Sequence, residues 1–179
     1  MMMTKTNTRI AAALLTATLA LPSLGCGDDG PSTSPFADTY QVVLHTRNTE
    51  NCDGEGSPFD GDDYFELTDE GDSLAYHVCD AADDCRDAVN DSKSFTIQDG
   101  DAWIGRTIDA SGTRGGCNVT FTERVATLEN NTDVRIETRT FSGEFSREEG
   151  QDCTDQLVLE NRGELTCGQF EVVLAVPAD

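Results

Sequence analysis

Positive charge is what this chain is shortest of. Its 179 residues hold 12 lysines and arginines against 34 acids, a formal net charge of −22 at pH 7. A surface of that balance repels phosphate backbones and anionic headgroups, which argues against nucleic acid as a partner. Histidine is almost as scarce. His45 and His77 are the only two, and both alternate with the apolar strand residues, as solvent-facing or rim side chains do, with no third ligand at metal spacing. No Gly-x-Ser-x-Gly elbow, His-Glu-x-x-His helix or phosphate-cradling glycine loop occurs. The segment SGTRGG, residues 111–116, is glycine-rich but joins two strands, so it reads as a mobile hairpin loop with no helix dipole behind it. A single tryptophan is a poor sugar platform for a glycosidase-type carboxylate pair. These absences point to a protein that is not an enzyme and that holds no metal or cofactor.

Long apolar runs are missing too. The one extended run, from Ile10 to about Leu21, is shorter than the ~20 residues a membrane-crossing helix needs. It follows MMMTKTNTR, whose Lys5 and Arg9 are unopposed by any acid. Charged start and short apolar run together predict a secretory signal. Removing it makes the mature chain more negative still.

The run ends in LPSLGCGDDG, residues 21–30. This stretch resembles the bacterial lipobox, matching it at Gly25 and Cys26 and departing from it at Ser23 and Leu24. The resemblance implies cleavage before Cys26 and acyl chains on its sulfur and new amine. Cysteine parity points to the same residue. Seven cysteines, at 26, 52, 79, 85, 117, 153 and 167, are an odd number for an exported chain. Setting Cys26 aside as the anchor leaves six, enough for three disulfides in an oxidising compartment. The expected organisation is a lipoprotein signal peptide over residues 1–25, a flexible tether over 26–37 and one disulfide-stabilised β domain over 38–179. Acyl chains would hold that domain at the bacterial envelope, at an outer membrane and facing the periplasm or the cell surface.

The acids do not form a recognised ion site. Asp53, Glu55, Asp60, Asp62 and Asp63 lie close together, but their spacing is not that of a calcium loop. The Asn-x-Ser/Thr triplets at Asn90, Asn118 and Asn130 read as turn and strand chemistry.

From Ala37 onward, alternation of apolar and polar residues predicts eight strands. Their apolar faces are Tyr40, Val42 and Leu44; Phe65 and Leu67; Leu74, Tyr76 and Val78; Phe95 and Ile97; Ala102, Ile104 and Ile108; Val119, Phe121 and Val125; Val134 and Ile136; and Phe170, Val172 and Leu174. A short helix is expected in DCTDQLVLENRG, capped by Asp152 or Thr154, and a helical turn in AADDCRDAV. Tight turns fall at Gly71, Gly100 and Asn130-Asn131. Every other connection carries or abuts a cysteine, so an up-and-down meander would gather all six at one end.

A meander of this kind closes most economically into an eight-stranded antiparallel barrel, because closure removes exposed edges. The architecture resembles the lipocalin-like barrels in topology over residues 38–176. Trp103 lies on the fifth strand, whereas those barrels carry Gly-x-Trp on the first. A two-sheet sandwich is the alternative. Local closure favours Cys79 with Cys85 and Cys153 with Cys167, leaving Cys52 with Cys117; the rim argument alone permits other pairings. Thr138 and Thr140 continue the face of Val134 and Ile136 and predict a small polar-lined cup at the cysteine end. The resulting expectation is a lipid-anchored binding module for a small ligand or an envelope partner. The alternative is a structural component of the envelope with no pocket.

Overall fold

The computed structural model describes residues 34–178 apart from 53 and 55. Ten strands form one antiparallel sheet: β1 (Asp38–Asn48), β2 (Ser57–Pro58), β3 (Tyr64–Asp69), β4 (Leu74–Ala81), β5 (Asp84–Val89), β6 (Ile97–Asp99), β7 (Ala102–Thr113), β8 (Gly116–Glu129), β9 (Asp133–Ser146) and β10 (Thr166–Pro177). A helix, α1 (Asp155–Asn161), precedes β10. Thr154 caps it, its Oγ1 accepting from the Leu157 amide at 3.3 Å.

The order across the sheet is β5-β4-β3-β1-β10-β9-β8-β7-β6, with β2 a short addition to β1. The all-β meander with a short helix before its last strand is therefore present, and a single sheet replaces the sandwich alternative. The regular eight-stranded closed barrel is not what forms. The path has two ends, β5 and β6, which do not pair; a seam of one bridge instead joins β4 to the segment leading into β6, where Leu74 and Phe95 exchange backbone hydrogen bonds of 2.9 Å. Beyond that bridge the edge of β4 is taken by β5, so AADDCRDAV is the turn and second strand of a β-hairpin and not a helix. Within SGTRGG only Arg114 and Gly115 form the turn between β7 and β8, with Gly115 at φ 93°.

The turns expected on positive-φ residues have them: Gly71 at 90°, Gly100 at 60°, Asn130 at 53° and Asn131 at 70°. They lie at one end of the sheet. The six cysteines lie at the other.

Apolar side chains gather in two clusters on opposite faces of the curved sheet. The first joins residues from strands far apart in sheet order, among them Tyr40, Phe65, Leu74, Trp103, Val134 and Ala175, with Phe95 from the seam. The second lies on the outer face, where Val119 and Phe121 of β8 and Phe141 and Phe145 of β9 are covered by Leu157 and Val158 of α1 and by Leu165. Each fully buried large side chain contributes roughly 1.5–3 kcal/mol.

The structure corrects four apolar faces. On β7, Ile108 packs against the second cluster, and Trp103 and Thr107 face inward. On β8, Val119 and Phe121 face α1, and the inner face is Arg124 and Ala126. On β1, a bulge between Val42 and Leu44 exposes Val43 and Leu44 and turns His45 and Arg47 inward. On β10, a bulge between Cys167 and Gln169 accompanies an inner face of Gln169, Glu171, Val173 and Ala175, in place of Phe170, Val172 and Leu174. Phe36, assigned by sequence to the tether, is 3% exposed and packs in the first cluster.

Candidate binding cup

All six cysteines expected in bridges are paired, Cys79 with Cys85 as local closure predicts, but the other two pairs are Cys52–Cys167 and Cys117–Cys153. The reason is the route of the β9–β10 connection. It crosses the outer face to place α1, so Cys153 meets Cys117 at the start of β8. Cys167 re-enters the sheet beside β1, whose continuation carries Cys52. Cys26, the lipidation candidate, lies outside the described residues, as do Asp53 and Glu55.

Two concavities flank the first cluster. The larger, about 850 Å³, lies between the plain turns, and its floor includes Phe36, Trp103 and Leu128. Its Asp69 already accepts from the amides of Ser34 and Gly71. The other, about 540 Å³, opens toward the cysteine end beside the Cys52–Cys167 bridge. Thr138 and Thr140 line it, together with Thr107 and Thr122.

Charged groups converge on this cup from strands distant in sequence. Glu171 of β10 receives His45 Nε2 at 2.7 Å and Arg47 Nε at 2.8 Å, both turned inward by the β1 bulge. A carboxylate only accepts, so Nε2 carries the histidine proton. Phe59 supports this group, with its edge to the His45 ring and the Arg47 guanidinium 3.3 Å over its face. Gly61 is required here because a Cβ would collide with the imidazole.

Asp62 makes a second centre. It pairs with Lys93 and accepts from the Tyr76 hydroxyl at 3.2 Å. Burial, and then the neighbouring Asp62 charge, hold the Tyr76 phenol above its ordinary range. His77, expected at the surface, is instead 8% exposed, bonded to Thr68 Oγ1 and to the Arg86 carbonyl on the side of β4 away from the cup.

Among the described residues, Arg124 is the cup's cation with no ion pair. It is 7% exposed, and its only hydrogen bond among the described residues runs from Nη2 to Thr107 Oγ1 at 3.0 Å. Its Nε is buried without a partner among the described residues. Burial lowers its pKa by penalising the charged form. Gly105, its partner across the β7–β8 ladder, leaves room for it, since the nearest approach of a Cβ there to Nε would be 3.4 Å.

Sequence reading missed Arg124, Glu171, Arg47 and Lys93. Arg124 alone left a signal: it sits two residues before Ala126 and four before Leu128, a cation on an apolar face. The β1 bulge hid His45, and on β10, where residues 172–176 are all apolar, alternation did not show that Glu171 faces inward. No known protein family, curated protein or solved structure matches the chain.

Proposed function

We propose that the chain is a lipid-anchored protein of the bacterial envelope whose barrel-like sheet is a non-enzymatic binding module, holding a small ligand in the cup at its disulfide-tied end. The observation that carries this reading is the contrast between the two halves of the sheet interior. At the plain-turn end aromatic and aliphatic side chains pack the interior beneath a concavity whose lining includes no basic residue; at the cysteine end a cup of about 540 Å³ is walled by hydroxyls and by charged groups of both signs. A structural component would gain from filling that space too. The acid–base groups of the cup are engaged with one another, Glu171 with His45 and Arg47 and Asp62 with Lys93, which suits orientation of a ligand more than proton transfer. Anchoring through acyl chains on Cys26 would present the cup at the membrane surface.

Native mass spectrometry of the protein purified from its own envelope tests the module. A retained small molecule is expected, and an unliganded mass from every gentle preparation would favour the structural alternative. For the anchor, Cys26→Ala should release the protein in a carbonate wash. Continued membrane association of that variant would overturn the lipidation assignment.

A further inference from the structure

We infer that Arg124 anchors the carboxylate of a small, hydroxyl-bearing, singly charged ligand, an inference that rests on the cup being a ligand site. A guanidinium offers five N–H donors in a planar fork. Arg124 spends one on Thr107 and has no carboxylate within ion-pair distance among the described residues. Buried charges are ordinarily paired, because an unpaired one carries its desolvation cost without compensation. A ligand carboxylate would supply the missing partner, and its two coplanar oxygens match the fork.

The rest of the cup limits the charge and polarity of what enters. Its other cations are already matched, Arg47 and His45 to Glu171 and Lys93 to Asp62, while Asp60 at its rim adds a negative charge. One cation is therefore open to a ligand. A phosphate dianion would bring more negative charge than Arg124 can balance beside Asp62 and Glu171. The wall leading to Arg124 carries the hydroxyls of Thr107, Thr122, Thr138 and Thr140, which suit a polar ligand body more than an alkyl chain.

The test uses the full mature lipoprotein in detergent, labelled with nitrogen-15 arginine, and follows the Arg124 Nε–H signal. That signal is assigned by its loss in Arg124→Gln and, independently, by its contact with Thr107. Probes are gluconate and hexanoate, their primary amides, and inorganic phosphate. Gluconate is expected to move the signal saturably and to bind at least about tenfold more tightly than its amide, as loss of a charge-assisted fork predicts. Because the acid–amide comparison is made on the wild-type chain, misfolding of Arg124→Gln does not affect it. Failure of both acids to move the signal, tighter binding of phosphate, or tighter binding of hexanoate than of gluconate would overturn the inference. A retained native ligand without an acid group would overturn it while leaving the binding module intact. Absence of any retained ligand together with silence from every probe would remove both.

Discussion

At the scale of single residues, buried polar groups make the most direct predictions. Tyr40 donates to the Phe36 carbonyl at 3.0 Å and Tyr76 to Asp62, and both phenols are held above their ordinary range, chiefly by burial. A raised phenol pKa means that folding favours the protonated form. The corresponding stability is fully present below the unfolded value of about 10 and is lost as the pH climbs toward the folded values. In an alkaline titration followed near the phenolate band, Tyr76→Phe should therefore superimpose on the wild type until circular dichroism reports unfolding. A phenolate signal missing from the variant before that point would refute the burial argument.

Glycine at 105 gives a second residue-scale test. A Cβ there would collide with the Ser94 carbonyl oxygen and crowd the Arg124 guanidinium. Gly105→Ala should thus cost about 1–3 kcal/mol in urea unfolding, the range for overpacking against backbone. Gly163, with nothing within 4 Å of its missing Cβ and no positive φ, serves as the control. Gly163→Ala should be neutral or stabilising by up to about 1 kcal/mol. Equal losses at both positions would mean that the seam does not depend on close approach at Gly105.

At the scale of elements, the strands and plain turns were legible because each rests on local chemistry. Asn130-Asn131 had to be a turn, and the alternation of Val134 and Ile136 had to be a strand. What escaped was the face each strand presents. A bulge inserts one residue and reverses inward and outward beyond it, as at Val43 of β1, which does not announce one by type; on β10 residues 172–176 are all apolar, so alternation there could not choose a face. On β8 the pattern was also ambiguous because both faces are apolar, one against the first cluster and one against α1. The cup was half visible in Thr138 and Thr140. Its charged groups were not, because His45 lies beyond the β1 bulge and Glu171 is on a strand with apolar residues on both faces.

The disulfides follow from the same elements. Non-reducing peptide mapping should recover linked peptides for Cys52 with Cys167 and Cys117 with Cys153. A peptide linking Cys153 to Cys167 would mean that the β9–β10 connection does not cross the outer face. The Cys117→Ala/Cys153→Ala pair should lower stability by about 2–4 kcal/mol, since it frees the segment that carries α1 over Phe121 and Phe145. Ligand affinity should hold, because the second cluster lies on the face opposite the cup.

At the scale of the whole molecule, the weakest joint is the seam between β4 and the segment leading into β6. The β8–β9 ladder runs unbroken from Gly116 opposite Ser146 to Glu129 opposite Asp133. The seam has the reciprocal Leu74–Phe95 pair, with the Tyr76 carbonyl and amide met by the Asn90 amide and the Ser94 hydroxyl. None of the three disulfides crosses it. At the cup end, Lys93 reaches across to Asp62 and lies 5.0 Å from the centre of the Tyr76 ring. Sub-global opening should begin here, with the Leu74 and Phe95 amides exchanging hydrogen ahead of Val119, Phe121 and Ile136. Lys93→Gln should accelerate the two seam amides and leave the β8–β9 amides unchanged. A carboxylate held by Arg124, beside the seam residue Phe95, should slow them. Should Leu74 and Phe95 exchange as slowly as the centre of β8, and Lys93→Gln leave them unmoved, the sheet would be joined there as firmly as along its ladders, and the seam would not be where opening begins.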